Sequence, residues 1–296
     1  MTHVSVMLTE TLAALDLKPG HVAVDGTLGL AGHAREMARA ITPGGHLIGL
    51  DWDRAMLSEA KKRLGEIEGV KVTLLHRDYR EISGALQEAG ESQADGILLD
   101  MGLNNAQIED ADRGISFLRE GPLDMRMNRD EGPTAAEWLN KASAREIEEA
   151  LREYGGENWA RRIAEVIVDR RPLATTTDLV DCVLAAIPVR MRDKRIHPAT
   201  RTFQAVRCVV TGELEDLDEA VESAARCLAP GGTLVVLAYH SGEDGAVKRV
   251  FRRLAQQEDF VEKHRKPLRP TDAEVQSNPK SRSARLRALR RQPEAA

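Results

Sequence analysis

The sequence predicts an α/β fold, a doubly wound parallel sheet interrupted by an all-helical insertion. Three observations predict it. Short apolar runs alternate with helical segments over the first hundred residues. Three of these runs stop at an aspartate, namely Asp25, Asp51 and Asp100. From about Ile108 to Val206 the runs cease and helix signals take over, before the alternation resumes near Leu214.

In chain order, Val22–Val24 reads as a first strand ending at Asp25, with a glycine-bearing turn into a helix near Ala34–Ala40. His46–Leu50 ends at Asp51 and precedes a helix over Ala55–Leu64. Val70–Leu75 is a third strand, followed by a helix over Ile82–Ala89, and Gly96–Leu99 ends at Asp100. In the insertion, Thr134 with Glu137 and Ser143 with Glu146 have capping-box spacing, and Thr177 or Asp178 suits the cap of a helix over Leu179–Ala186. A helix over Leu214–Leu228 then leads through Pro230-Gly-Gly232 into the strand Thr233–Ala238. The expected division is 1–107 and 207–296 for the α/β domain and 108–206 for the helical insertion. An insertion after the fourth strand emerges at the strand ends where open α/β sheets bind ligands.

Composition narrows the class. Cys182, Cys208 and Cys227 form no CxxC pair, so neither a zinc ribbon nor a disulfide framework is expected, and no metal site is predicted. The N-terminus has no basic segment followed by a long apolar stretch, and no window is long and apolar enough for a membrane span. A soluble, cytoplasmic protein without a membrane partner is expected. The net charge of −5 weighs against a protein coated in nucleic acid, yet from Lys263 to Arg291 ten basic residues face only Asp272 and Glu274. That basic segment suits phosphate contact, or else a solvated charged helix.

Asp25-Gly-Thr-Leu-Gly-Leu-Ala-Gly-His33 is a strand-to-helix turn whose glycines permit close backbone approach to a ligand. Asp51, 26 residues after Asp25, is placed to accept from ribose hydroxyls. A nicotinamide dinucleotide would use the same acid, but the loop lacks a clean GxGxxG, and Asp25 would crowd a pyrophosphate. A carboxylate there suits a ligand carrying an amino group and a sulfonium. Asp78 and Tyr79 follow the third strand, where an adenine would lie. His240-Ser241 invites a hydrolase reading that no G-x-S-x-G elbow supports.

Longer motifs carry a resemblance. Asp95–Asp100 with Gln107, Arg113-Gly114, Gly121-Pro-Leu-Asp-Met-Arg-Met127, Ala135-Ala-Glu-Trp-Leu-Asn140, His197-Pro-Ala-Thr-Arg-Thr-Phe-Gln204, His240-Ser-x-Glu-Asp244 and Asn278–Arg287 occur in one order along the chain. With the glycine loop, this resembles the bacterial 16S ribosomal RNA (cytosine-N4)-methyltransferases of the RsmH/MraW type, across essentially the whole chain. The resemblance implies a class I Rossmann-like methyltransferase with an inserted all-helical substrate-recognition domain. It also implies S-adenosyl-L-methionine as cofactor and N4-methylation of a cytidine in the decoding region of small-subunit rRNA.

Carried over by position, the cofactor contacts are Ala31, Gly32, His33, Asp51, Tyr79, Asp100 and Gln107. Asp100, Asn104 and Asn105 are the catalytic candidates, as acceptors for the hydrogens of a poorly nucleophilic amine. His197, Arg201, Gln204 and His240 are the substrate-binding candidates, Arg201 for a phosphate and Gln204 for a base edge. The expected partners are small-subunit rRNA or its assembling particle, with a homodimer as an option.

The chain departs from the family pattern at Leu30-Ala31, at Asp78 and Tyr79, at Asn104-Asn105-Ala106, and at Gly242 and Gly245. Those at Asn104, Asn105, Gly242 and Gly245 also motivate a different class of protein: a non-catalytic RNA-binding or assembly factor that keeps the fold.

Overall fold

The computed structural model describes residues 5–103, 105–257 and 259–293, with residues 105 and 106 described by their backbone alone. The chain divides into two units, one made of Met1–Gly102 and Asp216–Ala296, the other of Leu103–Glu215.

The first unit opens with α1 (Leu8–Leu15), then β1 (Val22–Asp25), α2 (Gly32–Ile41), β2 (His46–Asp51), α3 (Arg54–Leu64), β3 (Lys71–His76), α4 (Ile82–Ala89) and β4 (Ala94–Asp100). Each strand is an apolar run bounded by turn residues, and the aspartates stand at the carboxyl ends of β1, β2 and β4 as the sequence predicts. Asp53 caps α3 by accepting the Ala55 N–H at 2.9 Å.

The second unit holds α5 (Asn105–Glu109), α6 (Ala135–Lys141), α7 (Ala144–Glu153), α8 (Ala160–Asp169), α9 (Thr176–Ala186) and α10 (Thr200–Thr211). Thr134 and Ser143 each form the expected capping box. The cap of α9 is Thr175, not Thr177 or Asp178; Asp178 is instead the N3 partner that accepts the Thr175 N–H. Helix α10 runs unbroken through position 206, so the helical unit extends to Glu215 and starts at Leu103, wider at both ends than 108–206. Its core gathers Leu139, Ile147, Leu151, Ile163, Ile167, Leu179 and Phe203.

The segments that carry the family resemblance have structural roles here. Leu123 and Met125 lie in the core, while the buried Asp124 carboxylate receives the Arg126 Nε at 2.7 Å and Nη2 at 3.0 Å. Asn140 closes a two-way bond to the Leu173 backbone, donating at 2.8 Å and accepting at 2.9 Å.

The first unit then resumes with α11 (Leu217–Arg226), β5 (Leu228–Ala238), α12 (Ser241–Ala255), β6 (Phe260–Glu262), α13 (Asp272–Ser277) and β7 (Arg285–Arg291). The seven strands run in the order β3-β2-β1-β4-β5-β7-β6; β1 to β5 are parallel, and β7 is antiparallel to both neighbours. Strand order reverses between β1 and β4, the switch point at which such sheets open a crevice.

The basic C-terminal segment differs from the expected surface patch or solvated helix. Its last part is β7, with Leu286, Arg287, Ala288 and Leu289 all buried. Arg285 and Arg287 pair with Asp244 at 3.1 and 2.8 Å, and Arg290 and Arg291 donate to the Gly231 and Leu228 carbonyls. Lys263 donates to the Ala14 carbonyl. The exposed cations of the segment are Arg265, Lys266, Arg269, Lys280 and Arg282. No helix among the described residues is long and apolar enough to cross a membrane. Cys182, Cys208 and Cys227 are buried free thiols.

Candidate active site

The site assembles from the turn after β1. Gly26 lies flat on the sheet: a Cβ there would stand 2.5 Å from Leu99 Cδ2 and 3.2 Å from Tyr79 Cβ. Gly29 and Ala31 are both left-handed, with φ of 49° and 58°. For Ala31 that conformation costs about 1–2 kcal/mol, and it swings the chain into α2 so that the first-turn amides of Gly32 and His33 have no partner within the helix.

Three carboxylates surround this turn. Asp25 is buried and accepts from the Thr27 N–H at 3.1 Å. Burial pushes its pKa up to about 6, against the opposing pull of His33 and the Thr27 bond. Asp51 accepts the Gly29 N–H at 2.7 Å on one oxygen and the Asp53 N–H at 2.8 Å on the other. Desolvation raises it to about 7 despite those bonds. Each Asp51 oxygen keeps a further lone pair for a ligand hydroxyl.

Asp100 ends β4. Its N–H donates to Thr27 Oγ1 at 2.7 Å, and its Oδ1 accepts from the Tyr239 hydroxyl at 2.8 Å and from the Gly102 N–H at 3.3 Å. Oδ2 faces His33 Nδ1 at 3.6 Å, and the side chain is 22% exposed, enough to meet a ligand. The Tyr239 phenol is pushed well above its ordinary range, first by burial and then by the Asp100 charge, and so serves as a donor.

Ala31, Gly32, His33, Asp51, Tyr79 and Asp100 are therefore all carried at the carboxyl ends of β1 to β4 or on the turns that follow them. Tyr79 is half-buried in a single 3-10 turn, beneath the Arg80 guanidinium, which also stacks on Trp52. Asp78 caps that turn through the Arg80 N–H at 2.9 Å, and burial raises its pKa.

The remaining candidates are dispersed. Gln107 is a buried residue of α5, in the helical unit. Asn104 lies outside the described residues, as does the side chain of Asn105. Arg201 and Gln204 lie one turn apart at the start of α10, and His197 precedes the helix, its Nδ1 accepting the Ala199 N–H at 3.2 Å. His197 is exposed and stacks on Phe117 with ring centroids 4.6 Å apart. His240 belongs to the sheet unit, where its ring caps α12: Nδ1 accepts the Gly242 N–H at 3.2 Å, and Nε2 stands 3.1 Å from Glu243.

Sequence reasoning missed Thr27 and Tyr239. The place of Tyr239, one residue beyond a strand beside β4, was the available signal. The donor set fits an adenosyl sulfonium cofactor: an acid at the end of β2 for a ribose diol, two acids near a cationic centre, and a glycine turn that brings amides close.

Comparison with known proteins gives one answer. The MraW methylase family matches over residues 1–292. A protein of Geotalea daltonii named ribosomal RNA small subunit methyltransferase H is 43% identical, with 97% of each chain covered. Proteins of the same name from Geobacter sulfurreducens and Symbiobacterium thermophilum are 44% and 42% identical, covering 97% of this chain and 98% and 96% of their own. With a match of that extent and a sheet that carries its acids at the switch point, the chain belongs to the MraW methylase family.

Proposed function

We propose that this methylase modifies N4 of a cytidine in the decoding region of 16S ribosomal RNA, acting on the assembling small subunit. Its family makes it an S-adenosylmethionine-dependent methyltransferase of small-subunit rRNA. The base, the atom and the residue roles are the proposal. The observation that carries it is the set Asp25, Asp51 and Asp100 at the ends of β1, β2 and β4, tied to one glycine turn.

Bound there, the cofactor supplies an electrophilic methyl group on a positive sulfonium. Asp51 holds ribose hydroxyls on its two remaining lone pairs. Asp25 and Asp100 favour positive charge nearby, and Tyr79 offers a ring face to the adenine. Gly32, His33 and Ala31 line the approach through their backbone; Gln107, on the helical unit, is a further cofactor candidate.

A cytosine amine is a weak nucleophile because its lone pair is delocalised into the ring. Asp100 Oδ2 accepts a hydrogen of that amine and so favours the pyramidal nitrogen that attacks. The side-chain carbonyls of Asn104 and Asn105 are further acceptors. No covalent adduct with the base is needed, and none of the buried cysteines is called on. Positioning can account for up to roughly 7–11 kcal/mol of the barrier.

The helical unit, with Arg201 for a phosphate, Gln204 for a base edge and His197 stacked on Phe117, provides RNA recognition. His240, on the sheet unit, is a separate substrate candidate. The molecule works as a monomer or a homodimer. Mass spectrometry of 16S rRNA from cells with and without the gene tests the substrate: an unchanged cytidine N4 methyl would refute it. Calorimetry with S-adenosylmethionine separates an enzyme from a non-catalytic assembly factor, which would bind RNA and not the cofactor.

A further inference from the structure

The hydrogen bond between Tyr239 and Asp100 joins residues 139 positions apart, and both ends of it are held. Tyr239 is fixed from behind. Its N–H donates to Glu243 Oε2 at 2.7 Å, and Glu243 is a buried acid of the first turn of α12 that also receives the His240 N–H at 3.3 Å. The tyrosine ring is fixed from in front by Gly102, where a Cβ would stand 2.6 Å from Cε2 and 2.8 Å from Cζ. Only a glycine lets the chain leaving β4 lie this close to the ring.

Asp100 has few options left. Its Oδ1 is occupied by the Tyr239 hydroxyl and the Gly102 N–H, its own N–H is held by Thr27 Oγ1, and the Met101 N–H donates to the Leu237 carbonyl at 3.0 Å. Among the described residues, the oxygen that remains for a ligand is Oδ2, which His33 Nδ1 faces at 3.6 Å.

We propose that Tyr239 is a positioning residue for methyl transfer, locking the Asp100 carboxylate so that Oδ2 alone is presented to the amine. The proposal rests on the reading of Asp100 as acceptor. A carboxylate that can rotate offers either oxygen in a range of directions; one pinned at Oδ1 offers the lone pairs of Oδ2 in fixed directions, and alignment of that kind is worth large factors in rate. The first turn of α12 thereby becomes part of the catalytic support, through Glu243 and Tyr239.

The test is Tyr239→Phe, which keeps the ring against Gly102 and removes only the hydroxyl. A packing role would be filled by phenylalanine; a positioning role would not. With the full-length protein, assembling small subunits and S-adenosylmethionine, kcat is expected to fall roughly tenfold or more. KM for RNA and the calorimetric Kd for the cofactor should stay within about twofold, since neither depends on the direction of Oδ2.

A second readout needs no activity. In ligand-free protein labelled with 13C-aspartate, the Asp100 carboxyl resonance, assigned with Asp100→Asn, moves in Tyr239→Phe, and those of Asp25 and Asp51 do not. An unmoved Asp100 resonance overturns the inference, and so does a shifted resonance with unchanged kcat. Wild-type protein that binds cofactor but transfers no methyl refutes the proposed function instead, and the positioning role falls with it.

Discussion

His33 turns Nδ1 toward Asp100, 3.6 Å from Oδ2, while its Nε2 lies 3.0 Å from the Val6 carbonyl. A carbonyl only accepts, so Nε2 donates to it and Nδ1 is the ring nitrogen turned to the carboxylate. The Asp100 oxygen not held by Tyr239 is therefore the one that His33 faces. This makes Asp100 the residue on which the proposed chemistry is most exposed to test.

Replacing Asp100 by alanine is expected to abolish methyl transfer to the assembling small subunit while leaving a folded protein. Radiolabelled methyl incorporation, with circular dichroism as the control for folding, checks this. Turnover at the wild-type rate would remove Asp100 from the mechanism.

The pH response follows from Asp25 and Asp51, raised by burial from 3.8 to about 6 and about 7. Between pH 4 and 7 the folded protein holds protons that the unfolded chain has released, so these two groups make the ligand-free protein less stable as pH rises through that window. Asp51→Asn should remove its share. Its thermal midpoint gains on the wild type as pH rises from 5 to 7.5, by about 1.4 kcal/mol of stability per pH unit at most. Cofactor affinity should run the other way, weakening below about pH 7 as Asp51 takes up its proton. A constant difference between the two midpoints would contradict the assignment.

His240 is a substrate candidate by sequence, and the structure gives it the work of a helix cap. His240→Ala should cost about 1 kcal/mol in urea unfolding, and His240→Asn, a good cap, should recover most of it. If RNA KM rises in His240→Asn with stability intact, the imidazole also touches substrate.

Gly114 combines a φ of 63° with a Cβ position 2.0 Å from the Pro122 carbonyl oxygen. No side-chain motion relieves a clash with backbone. Gly114→Ala should destabilise the protein by about 3 kcal/mol or more, measured by denaturant unfolding. A loss below about 1 kcal/mol, the size of an ordinary substitution, would mean that the Gly121–Met127 segment is not held as described.

The basic segment separates into two kinds of residue. Arg287, buried and 2.8 Å from Asp244, should cost about 3 kcal/mol when changed to alanine, because Asp244 is left without that partner. Replacing the exposed Arg265, Lys266, Arg269 and Arg282 by glutamine should leave stability within about 0.5 kcal/mol. It should also weaken RNA binding and flatten its salt dependence, by up to about 0.9 in the log–log slope for each phosphate no longer neutralised. Filter binding at several salt concentrations reads this, and an unchanged slope would place the RNA elsewhere.

Local chemistry was legible where it is local. The aspartates at the strand ends and the capping boxes of Thr134 and Ser143 depend on residues a few positions apart. The cap of α9 is Thr175, two or three residues before the expected Thr177 or Asp178, because Thr175, Thr176 and Thr177 are equivalent until the chain entering α9 is fixed, with Thr176 N–H on the Gly121 carbonyl. Among the site candidates, the glycine turn and its acids follow from residue type and spacing. Thr27 and Tyr239 do not, because a threonine and a tyrosine beside a strand are ordinary core-edge residues until their partner is known.

By itself the sequence determined the alternation of buried runs and amphipathic helices, the acids that end β1, β2 and β4, and the point of interruption, since each follows from periodicity and nearest-neighbour hydrogen bonding. Tertiary structure alone decided the fate of Arg285–Arg291. Four arginines in seven residues read as a solvated surface, and they become a strand because β5, some fifty residues earlier, supplies the ladder and Asp244 supplies the countercharge. It also decided which oxygen of Asp100 faces a ligand, since that choice is made by a hydroxyl 139 positions away, brought within 2.8 Å only by the pairing of β4 with β5.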